Sequence, residues 1–262
     1  MKIIPIGCGS ALCTENFQSN YIVEHDGKRL LLDSGDDTRF ALKAVGLKLT
    51  DIDAVYISHL HGDHANGVQQ LAFGTYFNPA TKCSIKLYGN HKVLEDGWNH
   101  TWSGGMRSLE GENPSLDKYF QVERVPLNGM FRWNGITFQT VQTVHVMDAY
   151  GIVPCFGLIM NIPESIKKVY FTTDTQFCPH QIQKFYDQVD VIIQDCETVP
   201  DMYASKVHSH FKFLKTLNEE TKAKMYLTHY NDNCSLDIDK CDEEAKANGF
   251  KGFLKIRQPI EL

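Results

Sequence analysis

Three histidines and an aspartate fall within six residues at His59-Leu60-His61-Gly62-Asp63-His64. Such a density has no packing rationale, because crowded imidazole and carboxylate groups repel one another or lose solvation unless something pairs them. A divalent cation does so. Imidazole nitrogens and carboxylate oxygens hold zinc at roughly 2.0–2.2 Å. With His59 and His61 alternating, both can face one ion while Asp63 and His64 turn to a second. A solvated, histidine-rich surface loop is the plain alternative, and the density of the pattern argues against it.

The elements around the cluster read as a scaffold for it. Asp53 to Ser58 is a β-branched, apolar strand that delivers the chain into the histidine loop. Lys2–Ile6 reads as a strand, and the strands 20–24 and 29–32 flank the Asp26-Gly27 turn signal. Later strands are expected at 85–88, 137–141, 156–161, 169–172, 189–194, 225–227 and 252–255. Helices fit at 36–45, 179–186, 208–217 and 238–247. Hairpins first and crossovers later predict an α/β (α+β) chain with mixed sheets. The stretch Asp96 to Tyr119 is long, Gly-rich and aromatic without clean periodicity, and reads as a functional loop. No internal repeat is evident, so one domain over 1–262 is expected.

The chain has 262 residues, with 26 Lys+Arg against 32 Asp+Glu and a formal net charge of −6. An acidic balance speaks against a protein that lives by gripping nucleic-acid backbone. It leaves room for a local cationic centre that takes one small anion. The eight cysteines form no CxxC pair, and the opening residues are too short and broken for an export signal. Reduced thiols and a cytoplasmic location are expected, with no membrane association.

The run His59-Leu60-His61-Gly62-Asp63-His64 resembles the HxHxDH signature of the metallo-β-lactamase superfamily. In order downstream, His145, Asp174 and His229 each follow an expected strand, and Asp33 matches the aspartate of the family's first motif. The resemblance implies a four-layer αββα sandwich. It also implies a ligand set of His59, His61 and His145 on one zinc, and Asp63, His64 and His229 on the other, bridged by Asp174. Two Zn²⁺ per chain are expected, with Mn²⁺ as the alternative. Two such ions hold a bridging hydroxide and stabilise both oxygens of a displacement.

Four further features narrow the substrate. The bridging position is Asp174 rather than a cysteine, unlike a secreted β-lactamase. The stretch after His229 is too short for the helical domain of glyoxalase-II-type thioesterases. Phe177 stands where lactonase relatives carry tyrosine. Positively, Glu197-Thr198 and His208-Ser209-His210 resemble elements of the RNase Z branch, which implies His208 as a catalytic imidazole, Glu197 as its orienting carboxylate and Asp63 as a further catalytic group. His210 reads as a structural residue. The span from His145 to Asp174 leaves no room for a tRNA-gripping arm. In its size, its Gly7-Cys8-Gly9-Ser10-Ala11 run and its aromatic insert, the chain resembles the phage anti-Pycsar enzymes, armless phosphodiesterases that destroy cyclic nucleotides. That implies hydrolysis of 3′,5′-cyclic nucleotides (cCMP, cUMP, also cAMP and cGMP) by a metal-bridging hydroxide, in the cytoplasm, the host's if phage-encoded. It also implies a homodimer without a stable nucleic-acid partner. Trp98, Trp102 and Arg107 are then candidate substrate-binding lid residues, since aromatic faces stack on any base. Trp98 and Trp102 anchoring a long loop is the alternative there. For the whole chain, the alternatives are an RNase Z-type tRNA 3′-processing endonuclease and a lactonase or sulfatase on the same fold. A module that binds nucleotides without cutting them would need ligands missing from this set.

Overall fold

In a computed structural model of the chain, residues 1–79, 85–163 and 167–262 are described. Cys83 lies outside the described residues. The chain divides into two compact units interleaved along the sequence. The first holds residues 1–7, 17–127 and 256–261, and the second holds 8–16, 128–255 and 262.

The first unit carries a seven-stranded sheet in the order Ile260–Glu261, Lys2–Gly7, Asn20–His25, Lys28–Leu32, Ala54–Ile57, Lys86–Asn90, Gln121–Val125. The first three pairings are antiparallel and the last three parallel. Asp26, at φ 47°, and Gly27, at φ 72°, make the tight turn that sets the register of the first hairpin. Parallel strands need crossovers, which the helices Thr38–Ala44 and Val68–Tyr76 and the helical run 91–106 supply. Ala54–Ile57 is buried at every position, as an interior parallel strand should be.

The second unit repeats the scheme. Its order is Gly252–Phe253, Met225–Thr228, Val191–Asp195, Lys168–Phe171, Phe156–Asn161, Ile136–Gln142, Met130–Trp133. Here too three pairings are parallel and three antiparallel. Pro179–Tyr186 and Ile238–Ala247 serve as crossovers, at the bounds their spacing predicts. Phe138, Leu158, Met160, Tyr170, Ile192, Ile193 and Leu227 fill its core.

Three expectations need correction. The segment from 208 to 217 is not one helix: only Phe211–Leu214 is helical, and His208 precedes it in a bend. The stretch 96–119 is largely not a loop. After the helix His91–Asp96 it continues as a π-helical turn, Gly97–Trp102, and a short helix, Ser103–Met106. The cause is local. A Cβ on Gly97 would strike the ring of Trp102, five residues on, so glycine lets that ring lie against the backbone. Last, Gln121–Val125 is a strand that hydrophobic patterning misses because, at the sheet edge, most of it is exposed.

Candidate metal centre

The first set of donors belongs to the first unit. The strand Ala54–Ile57 ends at Ser58 and hands the chain to His59, and His61 caps the one-turn helix Gly62–Ala65. Behind them stands Asp33, fully buried after the neighbouring strand Lys28–Leu32 and held at φ 63°. Its Oδ1 accepts from the Ser58 amide at 2.8 Å, and its Oδ2 accepts from Ser58 Oγ at 2.8 Å. The same Oδ2 lies 2.8 Å from Nδ1 of His64. Ser58 Oγ in turn lies 3.0 Å from Nδ1 of His59. One carboxylate therefore fixes the tautomer of both rings, leaving each to offer Nε2 as a lone-pair donor. Asp63 Oδ2 sits 3.1 Å from Nε2 of His64. The ring of His59 stands 4.7 Å from that of His61 and 4.2 Å from that of His64, centroid to centroid. Gly35 is required here, since a Cβ would meet the carbonyl oxygen of Asp63.

The second set belongs to the second unit and is gathered from four separate segments. His145 follows Ile136–Gln142, Asp174 follows Lys168–Phe171, Asp195 ends Val191–Asp195, and His229 follows Met225–Thr228. Donors thus leave the carboxyl ends of strands of one sheet, where open α/β sheets bind ligands. His145 Nδ1 donates to the Val207 carbonyl at 2.7 Å, which aims Nε2 at Asp174 Oδ2, 3.6 Å away. His229 Nε2 lies at the same 3.6 Å from that oxygen. Asp195 sits behind, with Oδ2 3.0 Å from His208 Nδ1 and Oδ1 3.4 Å from His229 Nδ1. The Thr175 amide donates to Asp195 Oδ2 at 2.9 Å. Ligand atoms of Asp174, Asp195, His208 and His229 all lie within 4.8 Å of one another.

The electrostatics follow from this crowding. Burial pushes His145 below the ordinary histidine value, against the pull of Asp174, which favours the neutral ring that a metal requires. Burial also opposes charge on His208, but the charge and hydrogen bond of Asp195 outweigh it and raise this imidazole. For Asp195, burial opposes ionisation, yet His208 and the bond from His229 hold its carboxyl below the usual range.

The donor chemistry fits a borderline divalent ion. His59, His64, His145 and His229 each have Nδ1 engaged by an oxygen of their own unit, so each offers Nε2, and Asp63 and Asp174 add carboxylates. Sequence reasoning missed Asp195. Its signal was an aspartate closing the apolar run Val191-Ile192-Ile193, one residue past the expected strand end.

Several proposed roles move. Glu197 does not orient His208: its two carboxylate oxygens accept from the Ser205 amide at 3.0 and 2.9 Å, and Asp195 holds the ring instead. Trp102 is an anchor rather than a lid, 2% exposed with its indole N–H donating to the Ala65 carbonyl at 3.0 Å. Trp98 is half-buried, with the exposed Arg107 guanidinium 5.8 Å from its ring, and it lines a cavity of about 330 Å³ with His91, Leu94 and Arg124. His210 is structural, accepting from the Lys212 amide as a helix cap while its Nε2 bonds the Val199 carbonyl at 2.7 Å. In the second unit, His208 and His229 line a cavity of about 240 Å³ with Ser10, Leu12, Glu197, Ser205 and Asn231.

Comparison with known proteins sets the class first. The metallo-β-lactamase fold protein YhfI from Bacillus subtilis matches with a TM-score of 0.69 at 18% identity, over 100% of this chain and 98% of that one. The fold is that of the metallo-β-lactamases, and it carries clustered histidine and aspartate side chains that could hold a metal ion. A family model described as Anti-Pycsar protein Apyc1 matches residues 1–260, and the chain belongs to that family. The Anti-Pycsar protein Apyc1 of Paenibacillus harenae is 29% identical over 234 residues, 88% of this chain and 90% of that protein. The protein of the same name in Bacillus phage 010DV004 is 27% identical over 248 residues, 89% and 90% of the two chains. Among the described residues, no helix is long and apolar enough to cross a membrane.

Proposed function

We propose that this protein counters Pycsar by hydrolysing 3′,5′-cyclic nucleotides (cCMP, cUMP, cAMP and cGMP) to nucleoside monophosphates with two divalent cations, zinc or, alternatively, manganese. The donors of both units are pooled in this reading. His59, His61 and His145 serve one ion, Asp63, His64 and His229 the other, and Asp174 both. Motif order over residues 59–229 and a family model spanning 1–260 support the pooling. Bound ions would supply positive charge for the phosphate oxygens and a more acidic attacking water.

The observation that carries the reading is His208. Its Nδ1 is tied to Asp195 at 3.0 Å beside Asp174, and its ring borders the 240 Å³ cavity. A sugar alkoxide is a poor leaving group, and a positioned imidazolium can protonate it as the bond breaks. Water oxygen bonds phosphorus, the P–O3′ bond breaks, and O3′ takes the proton of His208 Nε2. Asp63 receives the proton that the water loses. Asp195 holds the His208 ring in the tautomer and orientation that this transfer needs, while Asp174 adds negative charge that favours the imidazolium.

The test is a panel of 3′,5′-cyclic nucleotides, an aryl ester, a lactone and a pre-tRNA, each incubated with the zinc-loaded protein and followed by chromatography. Nucleoside monophosphates released from the cyclic panel alone, and lost on chelation, are expected. His208→Ala should cut kcat by roughly 10²–10⁴-fold with metal content retained. Inert cyclic nucleotides beside a hydrolysed lactone or cleaved pre-tRNA would overturn the reading. Light scattering on eluted protein tests the homodimer that goes with it.

A further inference from the structure

The lining of the cavity beside His208 includes polar side chains that proton transfer does not use. Ser10 is set in place by its amide, which donates to the Tyr230 carbonyl at 3.0 Å, and by the bridge between Gly9 and Tyr230. The Asn231 side-chain amide donates to Ser10 Oγ at 3.2 Å, and Asn231 Oδ1 accepts from the Thr198 amide at 3.0 Å. Ser10 Oγ therefore accepts from within the protein and keeps its own proton to give. Opposite in character is Glu197. Both its oxygens share a single donor, the Ser205 amide, so a carboxylate with about four lone-pair directions retains acceptor capacity. Glu197 is almost wholly buried yet lines the cavity, while Leu12, 91% exposed, stands at the same cavity. A hydroxyl donor and a buried carboxylate acceptor facing one small volume make a receptor for a group that both gives and takes a hydrogen bond.

We propose that this cavity takes the ribose of the substrate and that Ser10 and Glu197 read its 2′-hydroxyl. The inference rests on the phosphodiesterase reading above. If His208 protonates O3′, the leaving oxygen lies at that ring, and the 2′-hydroxyl is one carbon–carbon bond away. A group lining the same cavity as His208 is then where that hydroxyl must fall. The 2′-hydroxyl donates to the Glu197 carboxylate and accepts from Ser10 Oγ. A 2′-deoxy substrate would leave a buried carboxylate and a hydroxyl facing a methylene, which such sites reject. Ser10, Glu197 and Asn231 are specificity-determining and positioning residues here, apart from proton transfer.

The experiment compares kcat/KM of the zinc-loaded enzyme for cAMP and for 2′-deoxy-cAMP, with the product phosphate identified. A ribose preference of roughly 10–100-fold and release of the 5′-monophosphate are expected. Ser10→Ala and Glu197→Gln should each collapse the ratio by lowering turnover of the ribose substrate, with unchanged melting temperatures showing that the fold is kept. Glu197→Gln preserves an acceptor for the Ser205 amide. Equal turnover of the two wild-type substrates, a 3′-monophosphate product, or variants that slow both substrates alike would overturn the proposal and leave the phosphodiesterase reading standing. If neither substrate is hydrolysed, that underlying reading fails instead.

Discussion

Both units string their strands in the same pattern, three antiparallel pairings and then three parallel ones, yet they present donors in opposite ways. In the first unit a single turn carries His59, His61, Asp63 and His64, and one hidden carboxylate, Asp33, steadies it through Ser58. In the second, His145, Asp174 and His229 arrive from three different strands. There the strand-end carboxylate Asp174 faces forward as a donor, and a second, Asp195, stands behind the rings of His208 and His229. A local cluster needs one brace; a dispersed one needs the whole sheet register to be right, plus a brace, Asp195, shared between the rings of His208 and His229.

That contrast can be broken experimentally. The largest effect belongs to the dispersed set. Asp174→Ala should abolish turnover and metal retention, beyond the roughly 10–100-fold typical of outer partners, whereas the exposed His61 should cost less when replaced by alanine. Metal content by plasma mass spectrometry alongside kcat decides this, and equal losses would erase the distinction. Next come the braces. Asp33→Asn and Asp195→Asn should each cost about 10–100-fold, but differently. The first should be rescued by excess zinc, because Asp33 acts only on His64 directly and on His59 through Ser58. The second should keep a kcat deficit at saturating zinc, because Asp195 also holds His208. A full rescue of both would mean that Asp195 serves metal retention alone.

Smaller effects fall outside the donors. Trp102→Ala removes an anchor buried against Gly97 and should destabilise by about 3–5 kcal/mol, read as a fall in melting temperature. A shift within error would return Trp102 to the role of a surface lid. His210→Ala removes a cap on a one-turn helix and should cost only about 1 kcal/mol, with kcat unchanged. A collapse of kcat in that variant would move His210 into the chemistry.

What could be read without coordinates follows the same contrast. The histidine turn was legible because its residues are adjacent, and the strands before His145, Asp174 and His229 because buried β-branched runs announce themselves. Asp195 was not, since a lone aspartate after an apolar run looks like any strand terminus. The Glu197 assignment failed for the same reason: it took the nearest carboxylate in a motif, but Glu197 lies past the strand, which ends at Asp195, so strand alternation no longer sets where it points. The stretch 96–119 hid its helices because aromatic and glycine residues blur a 3.6-residue period, and a π-helical turn has no such period to find.

One backbone detail carries a cost for the molecule's heat tolerance. Asp33, Thr173 and His229, each within two residues of a strand end and each a donor, a brace or a neighbour of one, take positive φ of 63°, 53° and 62°. For threonine that conformation is especially unfavourable, of order 1 kcal/mol or more. Conformational energy is thus concentrated where the chain bends toward its chemistry, which makes position 173 the natural place to trade rigidity for thermostability by installing a glycine.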